Sequence, residues 1–232
     1  MAWSSWLPTA PPPAPPAGLR ESKKQETRQL ISDHATRLFI AQGFEQTTIA
    51  EIATAARVAK KTVSNYFPRK EDLALDHQDA FIASLADTVT ARRPGESALT
   101  ALRRAFTEAA TAADPVAGFS GPAFARMIAD SPTLSTRLRE LHDLREAALA
   151  DALTTATGAT PGDITPRAAA ALLGAVHRTL FQRIQELTLT GHDNAQISAT
   201  VTAEADRAFD LLEPSLTHYA AGRTTDDTSA SA

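Results

Sequence analysis

The sequence predicts an all-α protein, with a small N-terminal helical bundle followed by a larger one. Three observations carry this. Apolar residues recur at three- and four-residue spacing through most of the chain. Helix-opening signatures stand ahead of those stripes: Thr48 with Glu51, Ser131 before Pro132, Thr165 before Pro166. No stretch alternates polar and apolar residues as a half-buried strand would.

The elements follow in order. Residues 1–20 read as a disordered Pro-rich tail, because Pro8, Pro11, Pro12, Pro13, Pro15 and Pro16 exclude a helix. Trp3 and Trp6 lie in it, either unstructured or ahead of a start further downstream. Residues 21–68 form the small bundle. Ser22 with Gln25 reads as a capping box that opens its first helix, Ile31, Ala35, Leu38 and Phe39 as the buried face, and Gly43 as the C-cap. Thr48 and Glu51 open the second helix, whose inner face is Ile49, Ile52, Ala53 and Ala56. Ala56-Arg57-Val58 is the turn, and a third helix spans 59–67 with Val63 and Phe67 inward.

The larger bundle occupies 69–221, and 222–232 reads as a disordered polar tail. Its first helix is expected over 70–91, with Leu73, Ala80, Phe81, Leu85 and Val89 as a stripe and Pro94-Gly95 as the break. Ser97 caps a helix carrying Leu99, Leu102, Phe106 and Ala109. Asp114-Pro115 and Gly121-Pro122 bracket an irregular stretch, followed by a short helix over 123–129. Ser131-Pro132 opens a long helix, and Gly158 to Gly162 is a loop. Thr165-Pro166 opens another, carrying Leu173, Val176, Leu180, Ile184 and Leu187 and closed by Gly191. The last helix is expected over 194–213, ended by Pro214.

Composition excludes several classes. The 232 residues include no cysteine, which removes disulfides and thiolate metal sites and fits a cytoplasmic location. No apolar run approaches the ~18 residues of a membrane span, and no basic region followed by an apolar core marks a secretory signal. There is no phosphate loop, no dinucleotide-binding glycine pattern and no zinc-type His-Glu-x-x-His. The six histidines, His34, His77, His142, His177, His192 and His218, show no ligand spacing. No catalytic residue, metal site or cofactor is therefore assigned, and the chain is not read as an enzyme.

The net charge of −4 is unevenly spread: residues 19–75 hold ten cations and seven anions, so that segment is +3 and the remainder −7. The excess coincides with the third helix, which presents Lys61, Thr62, Ser64 and Asn65 outward, Lys60 and Tyr66 on its flanks, and no carboxylate. That face suits the major groove of DNA, where Lys and Asn reach base edges and Thr and Tyr meet phosphates. An ordinary amphipathic helix pair with a solvated face fits the pattern as well.

Thr48-Ile49-Ala50-Glu51-Ile52-Ala53, with Val58-Ala59-Lys60-Lys61-Thr62-Val63-Ser64-Asn65-Tyr66-Phe67-Pro68-Arg69-Lys70-Glu71-Asp72-Leu73, strongly resembles the N-terminal domain of the TetR family of transcriptional regulators. The likeness extends upstream through Ala35, Leu38, Phe39, Gly43, Phe44 and Thr47 and covers about residues 23–75. It implies a ligand-responsive repressor that binds a palindromic double-stranded DNA operator as a homodimer. Carried onto this chain, the DNA-binding residues are Thr48, Arg57, Lys60, Lys61, Thr62, Ser64, Asn65, Tyr66 and Lys70. Arg57 stands where the family often has Gly, Ala59 replaces the usual Ser, and Lys61 and Ser64 replace a common Gly and Tyr. These departures bear on the operator sequence rather than on the role.

The resemblance further implies dimerisation through the helices at 165–190 and 194–213, where Ala168 to Ala171, Gly174, Ala205 and Ala208 permit close approach. It also implies a C-terminal site for a small apolar effector. Phe106, Phe119, Phe124, Met127 and Phe181 cluster on the middle helices and, with His177, are the candidate effector contacts, although core packing explains each one equally well. The run Phe124 to Pro132 with Leu134, Arg137, Leu138, Leu141 and Glu146 resembles a subgroup linked to acyl-CoA-like ligands. That implies a fatty acyl-CoA or another long apolar ligand, with Arg103, Arg104 and Arg126 as phosphate partners. A helical interaction protein, or an enzyme without DNA binding, is the rival reading; salt-sensitive duplex binding separates them.

Overall fold

The computed structural model describes residues 17–221. Within them every regular element is helical, as expected. Residues 1–16 of the tail expected over 1–20, with Trp3 and Trp6, and the tail expected over 222–232 lie outside the described residues.

Helix α1 (Ala17–Gln42) begins directly after the proline cluster, five residues ahead of Ser22. Ser22 is no cap: its hydroxyl donates to Glu26 at 3.0 Å from inside the helix. Part of the stretch expected to be a tail is therefore helical. Gly43 ends α1 at φ +90, and its N–H returns to the Phe39 carbonyl at 2.9 Å. Helix α2 (Ile49–Ala55) opens with the expected Thr48/Glu51 capping box, and α3 (Lys60–Tyr66) follows a four-residue connection, 56–59. Ile31, Ala35, Phe39, Phe44, Ile52, Val63 and Phe67 close one core among the three helices.

The helix expected over 70–91 is two. Helix α4 (Glu71–Ala74) is capped at Leu75, and α5 (Gln78–Thr90) starts three residues later. No proline or glycine stands there. At the break the Asp76 carboxylate accepts from the Ser32 hydroxyl on α1 at 2.5 Å, a tertiary contact that a continuous helix would have to accommodate. Along α5, Phe81, Leu85 and Val89 point inward as expected, whereas Ala80 is exposed.

Helix α6 (Ala98–Thr111) is capped by Ser97, and a 3-10 turn (Pro115–Ala117) by Asp114. Helix α7 (Pro122–Asp130) leads into α8 (Pro132–Thr157), with Ser131 as N-cap and proline in the first turn. Helix α9 (Thr165–Leu189) starts with Thr165 inside the helix rather than capping it; the Asp163 carboxylate accepts from the Thr165 N–H at 2.8 Å instead. Helix α10 (Asn194–Asp210) ends short of Glu213, and Pro214 lies inside a final turn of helix, α11 (Glu213–Leu216).

Two cores result. One lies among α5, α6, α8, α9 and α10. The other begins inside α1–α3 and continues through Phe81, Met127, Ile128, Leu134, Leu141 and Phe181, so the small bundle and the lower end of the large one share buried side chains.

Candidate nucleic-acid interface and effector cavity

Helix α3 turns Val63 and Phe67 into the small bundle and leaves Lys60, Lys61, Ser64 and Asn65 exposed, with Thr62 and Tyr66 half-buried beside them. Arg57, at the apex of the preceding turn, is exposed and holds φ +54. Among the described residues none of these cations forms an ion pair, so the face is positive and open. Ala59, the N-cap, supplies no side-chain bond. Thr48 is exposed at the start of α2, but its hydroxyl is engaged with Glu51 in the capping box.

Two cations outside that face hold it in place. Lys70 sends its ammonium to the carbonyls of Phe44 at 2.8 Å, Thr47 at 3.0 Å and Glu45 at 3.4 Å, and lies over the Phe44 ring. Three carbonyls satisfy an ammonium's three donors, so Lys70 works as a strut under the α1–α2 turn. Arg28, which sequence reasoning missed, donates to the Tyr66 carbonyl at 3.1 Å and stacks on Phe67, closing the C-terminal end of α3. Its partners are 38 and 39 residues away, and nothing local signals them.

The joint between bundles is polar at its edges. Glu45 accepts from Ser131 at 2.5 Å, which ties the α1–α2 turn to the N-cap of α8 and holds the Glu45 carboxyl below its ordinary range. Arg137 on α8 reaches Asp72 on α4 at 3.6 Å and Gln78 on α5 at 2.8 Å. Between these ties lies a cavity of about 570 Å³. Ser32 and Thr36 of α1 form one wall, Asp76 and His77 of the α4–α5 break a second, and Phe81, Phe119, Phe124, Ile128 and Phe181 the apolar third.

A smaller cavity, about 200 Å³, lies deeper among α5, α6, α8 and α9 and contains Phe106, His177 and Arg145. The expected effector residues thus divide. Phe119, Phe124 and Phe181 line the large cavity, and Phe106 and His177 the small one. Met127 lines neither and is core, 7% exposed. The cations expected to meet phosphates are committed elsewhere: Arg103 to Asp206 and Asp210, and Arg104 to Glu96 and Glu108. Arg126 is exposed. Of the small residues expected at a dimer contact, Ala169, Ala170 and Ala205 are buried within the protomer, and a Cβ at Gly174 would meet the Glu146 side chain of α8 at 3.3 Å. Ala168, Ala171, Leu172 and Ala175 on α9 and Ala195, Ala199 and Ala203 on α10 are exposed instead.

With that geometry in view, residues 31–76 match the family model of bacterial regulatory proteins of the tetR family. The segment carries a TetR-type helix-turn-helix. The HTH-type transcriptional regulator TcmR of Streptomyces glaucescens is 37% identical over 89 residues, which are 38% of this chain and 39% of TcmR. The HTH-type transcriptional regulator AcrR of Shigella flexneri is 45% identical over 53 residues, 23% of this chain and 25% of AcrR. The chain therefore spans well under half the length of these relatives, and both are regulators rather than enzymes. A TetR-family transcriptional regulator from Syntrophomonas wolfei shares the fold: TM-score 0.53 at 17% identity, over 81% of this chain and 96% of that one. Among the described residues no helix is long and apolar enough to cross a membrane, and no group of side chains could hold a metal ion.

Proposed function

We propose that the chain is a ligand-responsive transcriptional repressor that binds a palindromic DNA operator as a homodimer and releases it when a small apolar effector enters the joint. The observation that carries this reading is the open, carboxylate-free face of α3 on a TetR-type helix-turn-helix whose core continues into the effector-sized cavity. Cavities of roughly 300–1,000 Å³ with apolar walls are the usual size for small-molecule ligands.

In this reading Lys61 and Asn65 reach base edges. Thr48, Arg57, Lys60, Thr62, Ser64 and Tyr66 meet phosphates and neighbouring bases. Lys70 positions the reader without touching DNA. The exposed small residues of α9 and α10 form the dimer contact, which sets two α3 helices about 34–36 Å apart in successive major grooves. An effector between α1, the α4–α5 break and α7 pushes on the Ser32–Asp76 tie and misaligns both readers. It acts only if it binds the non-DNA conformation more tightly. A fatty acyl-CoA fits the apolar wall, but of the three cations expected to hold its phosphates only Arg126 stays available.

The test is anisotropy of a fluorescent operator duplex, selected from random DNA, titrated with the protein and then with fatty acids and acyl-CoA esters. Release by an apolar ligand supports the reading. Ligands that bind the protein yet never alter its affinity for DNA would rule out the release mechanism.

A further inference from the structure

The small cavity holds a cation that no ion pair anchors among the described residues, with Asp114 as the carboxylate of its lining. Arg145 on α8 is 7% exposed. Its guanidinium lies 4.5 Å over the Phe81 ring, and its Nε donates to the Ser84 hydroxyl at 2.9 Å. Among the described residues no carboxylate forms an ion pair with it, and its four terminal N–H groups make no hydrogen bond. Asp114 lines the same cavity, but its carboxylate accepts from the Val116 N–H at 2.8 Å and caps the 3-10 turn. Burial pulls the guanidinium's pKa down to about 10, and Asp114 opposes the shift; the group remains a cation at neutral pH.

His177 faces the same cavity from α9. Its ring stands edge-on to Phe106 and Phe209 at 5.9 and 5.6 Å, and its Nε2 is buried without a partner. Burial holds this imidazole neutral, well below its ordinary range. A neutral imidazole can place its N–H on Nε2 and donate. A buried cation and a buried orphan donor in one small cavity are what a fold tolerates when a ligand supplies the acceptor.

We propose that this cavity is the head-group site of the effector: Arg145 and His177 take the carboxylate of an apolar organic acid whose body lies in the large cavity. The assignment rests on the effector-release reading above and names the chemical class of the ligand. Val116 borders both cavities, and Phe81, which carries the guanidinium, is also a wall of the large one. These two side chains are the wall shared by the cavities, and in the proposed site the tail of the acid lies past them. Arg binds carboxylate through two parallel N–H donors, and an uncharged head cannot replace that anion.

The test is calorimetric titration of the full chain with decanoate and with decan-1-ol, which share a tail and differ in head. Wild type should bind decanoate at least about tenfold more tightly, the gain typical of a hydrogen bond to a charged group. Arg145→Met should remove that preference by weakening decanoate alone, with decan-1-ol binding and the melting transition showing that the cavity is intact. His177→Phe, which keeps the aromatic packing, should reduce the preference in part. If Arg145→Met does not fold, the wild-type pair and His177→Phe still decide. Equal affinities, a preference that survives in Arg145→Met or is undiminished in His177→Phe, or no decanoate binding at all would overturn the head-group site. If decanoate binds with the expected preference but leaves operator affinity unchanged, the head-group site stands and the release mechanism falls.

Discussion

Arg57 serves two ends at the apex of the helix-turn-helix. Its left-handed backbone costs about 1 kcal/mol relative to glycine, while its exposed guanidinium adds a cation beside α3. Arg57→Gly is expected to raise stability by about that amount in chemical denaturation, and to lower the salt dependence of duplex binding by about one phosphate contact. An unchanged salt slope would place Arg57 away from the DNA. Lys61→Ala and Asn65→Ala should lose about 1–3 kcal/mol of discrimination between operator and random duplex while non-specific binding holds; equal loss on both duplexes would remove them from base readout. The turn at Arg57 was legible because the residue stands between two apolar stripes at helical spacing. The strut at Lys70 was not, since its three carbonyl partners lie 23 to 26 residues upstream.

Helix starts that rest on local chemistry were legible at the scale of elements. Thr48 with Glu51, Ser97 and Ser131 with Pro132 each cap where their side chains say they should, because the cap and its orphan N–H groups are within three residues of each other. The α4–α5 break was not legible: Leu75-Asp76-His77 is compatible with a helix, and the contact made there comes from Ser32, 44 residues away. The same limit hid the joint, where Ser131 serves α8 and Glu45 together. Ser131→Ala should therefore cost about 1–2 kcal/mol by thermal melting, more than an isolated cap. A loss within error would show the Glu45 tie to be idle. Lys70→Ala should lower the melting temperature of the helix-turn-helix and weaken operator and random duplex alike. Phe124, half-buried in the large cavity, is the better probe of effector binding than Phe181, whose ring is part of the shared core. Phe124→Ala should weaken effector response without changing operator affinity in its absence.

For the whole molecule, the all-α class was legible from periodicity, but the cavities were not. Their walls combine α1, the α4–α5 break and five helices of the body, and only the folded chain brings these together. One signal was nonetheless present. Arg145 and His177 interrupt apolar stripes, four residues from Leu141, Leu149 and Leu173, and a polar residue on a core face is the sign of a buried site. The buried histidines give the molecule a pH dependence. His142, edge-on to Phe81 and Phe181, has its pKa lowered to about 4 by burial and by Arg145 and Arg178, against Asp143; His177 is lowered by burial and Arg145. Both take up protons near pH 6.5 when unfolded and resist them when folded. Their contribution is intact above about 6.5 and is lost as pH falls, by roughly 1.4 kcal/mol per pH unit for each. Urea unfolding between about pH 7 and 5 should show that decline, and His142→Phe should flatten it by one proton; an unchanged slope would mean that His142 protonates in the fold. The central claim, that α3 reads DNA in a two-fold assembly, is tested most directly by selecting bound duplexes from random DNA and weighing the complex. The account predicts a palindromic site whose half-sites lie about one helical turn apart, occupied by two protomers, with enrichment lost in the Lys61→Ala and Asn65→Ala variants. Failure to enrich any sequence, or a site without two-fold symmetry bound by one protomer, would contradict it.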